Sequence, residues 1–227
     1  MTITGTTAFN PSLGEIVLNA FARIGMRRTA LLANHMQDAY TEANLLQAEW
    51  NNKQVNLWKV DATPVQVALT QGTASYSIPS NVVMILDAYI NTGGTDYIIQ
   101  PISRTEYSAI PVKTQQGRPT QFWFDRLESP TLYLWMVPDA NSTYTLNYYS
   151  CTLIDDSALA DGQTADIPQL WLDAYAAGLA FRLARIYAPQ MRDQLKMDYM
   201  EAWNTAATQN IENVPLSIVP GTYGYFK

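Results

Sequence analysis

The chain of 227 residues contains a single cysteine, Cys151, and a single histidine, His35. One thiol cannot form an intrachain disulfide, and one thiol with one imidazole cannot supply a multi-cysteine metal site. Positive charge is also scarce, because 14 Lys and Arg face 20 Asp and Glu for a formal net charge of -6. The composition therefore argues against a disulfide scaffold, a zinc module and a tight nucleic-acid binder.

Long apolar runs are missing as well. No segment approaches the roughly 20 apolar residues that cross a bilayer, and the first ten residues, MTITGTTAFN, have neither the basic nor the apolar part of a secretory signal. Nucleophile-elbow, dinucleotide-binding and phosphate-loop patterns do not occur. We therefore expect a folded protein made in the cytoplasm, with no membrane contact, no cofactor, no metal and no catalytic residue.

Helical patterns occupy the N-terminal quarter of the chain. Ser12 and Glu15 form a capping-box pattern before a helix over Leu13 to Ile24, which Gly25 ends. The stretch from Leu32 to Trp58 then carries the seam of a long helix. The seam residues recur at alternating spacings of four and three and are Leu32, Met36, Ala39, Ala43, Leu46 and Trp50. The short connection predicts that the two helices pack as a hairpin.

The periodicity changes to two between Lys59 and about Ser150, which predicts strands. The candidate strands are Pro64 to Leu69, Ser75 to Ile78, Val82 to Ile90, Tyr97 to Gln100, Gln121 to Phe124, Leu132 to Val137 and Tyr144 to Tyr149. Both faces of Leu132 to Val137 are apolar, so we expect that strand in the centre of a sheet. A short helix is predicted within Ile102 to Ile110, with Ser103 as its cap.

Two more helices are predicted after an acidic loop that contains Asp155, Asp161 and Asp166. The first runs from Pro168 to Tyr187 with small residues that allow close helix contact, and the second from about Gln190 to Thr208. The expected fold is α+β, with one helical bundle built from both ends of the chain, an inserted antiparallel β-sheet or sandwich, and an extended C-terminal tail. The expected boundaries are 1–58, 59–152, 153–210 and 211–227.

Enzymatic readings depend on a few acids. Glu49 and Glu106 have aromatic neighbours and are the candidates for a carboxylate pair in a peptidoglycan-degrading hydrolase. The structural alternative places Glu49 on the solvated side of its helix and makes Glu106 a capping partner of Ser103, and we favour it. His35 lacks partners for catalysis and is expected to be structural. A third reading, a carbohydrate-binding β module, depends on the many aromatic residues of the sheet region.

Six segments, in their order along the chain, give a more specific indication. They are LGEIVLNAFARIGM (Leu13 to Met26), AEWNNKQVNLW (Ala48 to Trp58), LTQGTASYSIP (Leu69 to Pro79), ISRTEYSAI with QGRPTQFWFD (Ile102 to Asp125), LYLWMVPDANSTYTLNYY (Leu132 to Tyr149) and IPQLWLDAYAAGLAFRLARIYA (Ile167 to Ala188). In this combination the chain resembles the head-to-tail adaptors of short-tailed bacteriophages, also called tail accessory, packaged-DNA-stabilisation or tail tubular A-type proteins.

The resemblance implies a structural, non-enzymatic virion protein of the neck. Such adaptors form a homo-oligomeric ring of about a dozen copies below the portal protein, extend the DNA channel without sequence-specific binding, help to retain the packaged DNA and carry the tail nozzle. The apolar, proline-containing C-terminus suits a segment that becomes ordered on a partner. The candidate contacts with the portal or a neighbouring subunit are Ile211, Val214, Pro215, Leu216, Ile218, Val219, Pro220, Tyr223, Tyr225 and Phe226.

Overall fold

Helices occupy both ends of the chain and two four-stranded sheets lie between them in the computed structural model, which describes residues 9–54, 56–158, 162–208 and 210–211. The helices are α1 (Leu13–Arg23), α2 (Ala33–Lys53), α3 (Arg104–Ala109), α4 (Leu172–Tyr187) and α5 (Arg192–Ala207). The strands are β1 (Val65–Ala68), β2 (Ser75–Ser77), β3 (Val82–Thr92), β4 (Thr95–Ile98), β5 (Gln100–Pro101), β6 (Gln121–Asp125), β7 (Thr131–Trp135) and β8 (Thr145–Thr152). The predicted α+β class is confirmed.

Local hydrogen bonds set the ends of α1 as the sequence predicts. Ser12 Oγ accepts a hydrogen bond from the Glu15 backbone N–H at 3.3 Å, and Glu15 Oε2 accepts one from the Ser12 N–H at 3.1 Å. This reciprocal pair satisfies two N–H groups that the first helical turn would leave unpaired. After the helix, Gly25 has a φ of 83°, a left-handed conformation that costs glycine little.

The seam of α2 is confirmed over most of its length. Ala39, Ala43, Leu46 and Trp50 are fully buried in the bundle. Leu32 does not belong to the seam, because it precedes the helix and 64% of its surface is exposed. The prediction was wrong at this end because spacing alone cannot distinguish the residue before a helix from its first turn.

The bundle is centred on α4, whose residues are buried almost throughout. The helices α1, α2 and α5 all pack on it, whereas α1 touches α2 only slightly. The predicted α1–α2 hairpin is therefore wrong: a short 3₁₀ turn, Arg28–Ala30, lies between the two helices and each makes its main contact with α4. Buried residues of α1, α2, α4 and α5 form one continuous hydrophobic core.

Gly178 provides the closest approach within this core. A methyl group built on its Cα would lie 2.9 Å from a terminal carbon of Leu46 on α2 and 2.9 Å from a ring carbon of Tyr199 on α5. Real Cβ atoms do not approach neighbours this closely, so α4 meets both helices through a position that has no side chain. The small residues predicted for this helix therefore allow close contact with other helices, as expected.

The sheets have the strand orders β1-β8-β3-β4 and β2-β7-β6-β5. Gly93 and Gly94, both with positive φ, form the hairpin turn between β3 and β4. The strand β7 lies between two neighbours, as its two apolar faces indicate. One departure from the antiparallel expectation is the pairing of β5 with β6, which is parallel.

A second hydrophobic core lies between the two sheets and is distinct from that of the bundle. It includes Ile90 and Leu146 from the first sheet and Phe122 and Leu134 from the second. On the opposite side of the second sheet, Tyr107 of α3 packs against aromatic residues that project from β6 and β7. The aromatic residues of the sheet region are thus used for packing at these positions.

A branched side chain at position 178 should therefore damage the bundle. We expect Gly178→Val to lower the free energy of unfolding by about 2–3 kcal/mol, because the added atoms overlap Leu46 and Tyr199. Gly14→Ala is the control, since its new methyl group would meet nothing closer than 3.9 Å and alanine favours the helix. Urea titration of both variants measures the difference, and equal stability of Gly178→Val and the natural protein would contradict this account of the packing.

Candidate functional site

An ion-pair network lies where α2, α4 and α5 meet. Arg182 donates from Nη2 to Glu49 Oε2 at 2.7 Å and from Nη1 to Glu42 Oε2 at 3.1 Å. The other oxygen of Glu49 lies 2.6 Å from Lys53 Nζ, which also donates to the Tyr199 hydroxyl at 3.0 Å. Each oxygen of Glu49 therefore faces a cation, and the three helices are tied together by the same group of charges.

Glu49 does not lie on a solvated helix face, so that part of the structural reading is wrong. Its side chain is 34% exposed. Burial by itself would raise the pKa of Glu49, but the hydrogen bonds and charges of Lys53 and Arg182 outweigh it and lower the pKa below its ordinary value of 4.5. A general acid in glycoside hydrolysis needs a raised pKa. Glu49 stays ionised at neutral pH and acts as a structural anion.

Glu106 is the capping partner that the sequence predicts. Its Oε2 accepts a hydrogen bond from the Ser103 N–H at 2.7 Å, and Ser103 Oγ accepts one from the Glu106 N–H at 3.2 Å. The first of these bonds is the main reason that the pKa of Glu106 is lowered. Glu49 belongs to the bundle and Glu106 to α3 beside the sheets, so each carboxylate serves a separate local contact.

His35 has the structural role that the sequence predicts. Its Nδ1 accepts a hydrogen bond from the Leu32 N–H at 2.9 Å, at the start of α2. Its ring packs edge-on against Tyr187 with the ring centres 5.0 Å apart, and against Phe21 at 6.2 Å. The imidazole therefore caps one helix and fills space between α1 and α4.

A buried polar cluster links the bundle to the loop after β8, and sequence reasoning missed it. Gln47 Nε2 donates to Ser157 Oγ at 2.8 Å and to the Tyr175 hydroxyl at 3.2 Å. Burial raises the pKa of Tyr175 to about 12, so its hydroxyl stays protonated. The available signal was a glutamine directly after Leu46, beside the apolar seam of α2, where a polar side chain needs a buried partner.

The acidic loop is used for ion pairing in its described part. Lys59 Nζ lies 2.6 Å from Asp166 Oδ2 and 3.5 Å from Asp155 Oδ1, and Asp166 also accepts the Asp155 N–H. Asp161 lies outside the described residues. Among the residues that the structure describes, no group of three or more His, Cys, Asp or Glu side chains is arranged to hold a metal ion.

The predicted contact segment at the C-terminus is described only at its first residue. Ile211 is 69% exposed, as a residue available to a partner would be. The remaining candidates lie outside the described residues: Val214, Pro215, Leu216, Ile218, Val219, Pro220, Tyr223, Tyr225 and Phe226. Their role stays a prediction from sequence.

Comparison with protein families gives a match over most of the chain. The family model described as SU10 adaptor protein matches residues 13–218, which is most of the chain, and SU10 is a bacteriophage. The chain belongs to the SU10 adaptor protein family. No curated protein matches it in sequence. The expected kinship with phage head-to-tail adaptors is thereby confirmed.

As an SU10 adaptor the protein is a component of the virion. Its helices, over the described parts of the chain, include none that is long and apolar enough to cross a membrane. Several large apolar side chains are exposed on the helices of this adaptor. They include Leu45, Ile186, Met197 and Met200.

The charge network of the adaptor should make its stability depend on pH. Because the pKa of Glu49 is lowered on folding, its ionised form adds stability above pH 4.5, and this is lost as the pH falls through the lower folded value. We expect Glu49→Gln to cost about 1–2 kcal/mol at pH 7, discounted for partial exposure, and less as the pH drops below 4.5.

Thermal unfolding measured between pH 3 and pH 7 tests this expectation. Glu128→Gln, which removes an exposed acid from the turn between β6 and β7, is the control and should change stability little at any pH. A loss in Glu49→Gln that is equally large at pH 3 and pH 7 would rule out the ion pairs as its cause.

Proposed function

We propose that this adaptor forms a dodecameric ring below the portal protein of a filled capsid and extends the DNA channel towards the tail. The observation that carries the proposal is the family match over residues 13–218. The helical parts, residues 1–58 and 153–210, pack side by side in the ring, and residues 59–152 form an outward sheet domain that offers a platform for the tail nozzle. The protein is made in the host cytoplasm and joins the particle during assembly.

The electrostatics of the chain suit a conduit that does not hold DNA. A net charge of -6 leaves no surplus of cations for phosphate contacts. Several of the cations also have protein partners: Arg182 and Lys53 bind Glu49, and Lys59 binds Asp166. DNA that passes such a wall meets little attraction, which favours free movement during ejection. Before ejection, the assembled ring helps to retain the packaged DNA as a plug.

The C-terminal residues 211–227 are the portal-binding segment in this proposal. Their composition supports it, because apolar and aromatic residues alternate with two prolines and only Glu212 and Lys227 carry side-chain charge. Such a peptide buries its apolar groups best on a partner surface and pays the ordering entropy there.

Ring formation can be tested directly. Purified adaptor mixed with its cognate portal is expected to give stoichiometric adaptor rings seated on the portal, visible by electron microscopy. Images of the portal alone should show no such additional ring. An adaptor that never binds the portal over a range of concentrations and salt would refute the proposed position in the neck.

The role of the C-terminal segment has its own test. Deleting residues 211–227 should abolish sedimentation with the portal and leave the circular dichroism spectrum unchanged, because the cores of the bundle and of the sheets lie upstream. A second variant keeps the length of the segment but replaces its apolar and aromatic residues with Ser and Gly. This variant distinguishes the effect of the segment's sequence from the effect of its length. Undiminished portal binding by both variants would assign docking to another surface.

A further inference from the structure

A groove of about 380 Å³ lies between α4 and α5 on the surface of the bundle. It shares no residue with the Glu49 network. The exposed side chains of Asp198, Glu201 and Thr205 line it on the α5 side. The remaining α4 and α5 residues that line it, apart from Asp173, are small and apolar: Ala174, Ala177, Ala202 and Ala206. The groove is therefore apolar at its base and polar along one edge.

Two acids of this edge have no cationic partner. Neither Asp198 nor Glu201 belongs to a salt bridge within the part of the chain that the structure describes. A third acid that lines the groove, Asp173, is paired with Arg23 at 2.7 Å. Two carboxylates beside an apolar base suit a partner that brings cations and an apolar side chain together.

The opposite side of α5 carries these groups. Arg192, Lys196 and Met200 recur at intervals of four residues and are all exposed, Met200 to 53%. With 3.6 residues per turn, Lys196 and Met200 each lie about 200° around the helix axis from Asp198. No salt bridge between described residues includes Arg192 or Lys196. We call Arg192, Lys196 and Met200 the α5 stripe.

Two unlike surfaces on opposite sides of one helix suit a head-to-tail contact between copies of the chain. Such a contact uses a different surface on each partner, and it closes into a ring when the rotation between copies allows it. A two-fold contact of groove with groove, or of stripe with stripe, would instead bring like charges together. The carboxylates of the groove also repel the phosphates of DNA. The charges of α5 therefore favour a second copy as the occupant of the groove.

We propose that the α5 stripe of one copy occupies the groove between α4 and α5 of the next copy, an inference that rests on the ring of the proposed function. Arg192 and Lys196 lie against Asp198 and Glu201 of the neighbour, and Met200 lies against the alanines at the base. Methionine suits this position, because its flexible side chain adapts to the shape of an apolar surface. Each copy offers its stripe to one neighbour and its groove to the other.

Two charge-reversed variants test this pairing. The groove variant combines Asp198→Lys with Glu201→Lys, and the stripe variant combines Arg192→Glu with Lys196→Glu. Mixed separately with the portal, each should give at least about tenfold fewer closed rings in electron micrographs than the natural protein, because every contact then joins like charges. A 1:1 mixture of the two variants should restore closed rings. Every contact in an alternating ring of the two variants again joins opposite charges, and an even number of copies closes such a ring.

Glu128→Lys reverses an exposed acid of the turn between β6 and β7 and is the control that should leave ring formation unchanged. Circular dichroism of each variant shows whether the bundle remains folded. Rings at the natural level from either variant alone would overturn the pairing, and so would two folded variants whose mixture fails to recover. A natural protein that forms no ring on the portal would refute the proposed function and this pairing with it. Rings of the natural protein alongside unimpaired variants would refute the pairing alone.

Discussion

Close packing on α4 is the constraint from which the rest of the bundle follows. Three helices, from both ends of the sequence, can share this one partner because five of its sixteen residues are Ala, and Gly178 admits Leu46 and Tyr199 into direct contact with the helix. Their approach brings Glu49, Lys53 and Arg182 into ion-pair distance. The ion pairs therefore result from the packing and fix its geometry, but burial of the hydrophobic core drives the association of the helices.

The acids that first indicated hydrolysis are explained by the same packing. In a glycosidase one carboxyl group is kept protonated by apolar surroundings. Glu49 has cations on both oxygens, and Glu106 has backbone and hydroxyl partners at a helix start. Both environments favour the anion, so the chemistry available at these residues agrees with a structural adaptor protein.

Local sequence signals predicted most elements of this fold but not all of their partners. The capping boxes at Ser12 and Ser103, the hairpin glycines and the seam of α2 depend on neighbouring residues, so they could be recognised from sequence. The packing of α1 and α2 on α4, the ion pair of Glu49 with Arg182 and the contact of Gln47 with Ser157 depend on residues more than 100 positions apart. Periodicity shows which face of a helix is apolar, but it does not show what covers that face.

The two connections between the bundle and the sheets run side by side. Val60 pairs with Cys151, and the side chain of Asp61 accepts hydrogen bonds from the backbone and hydroxyl of Ser150. The chain thus leaves the helices and returns to them at one place. The sheets are therefore inserted at one place in a bundle whose helices pack directly on one another. Because both ends of the sheet region meet at this one place, the sheets can change in length or shape without disturbing the helical core.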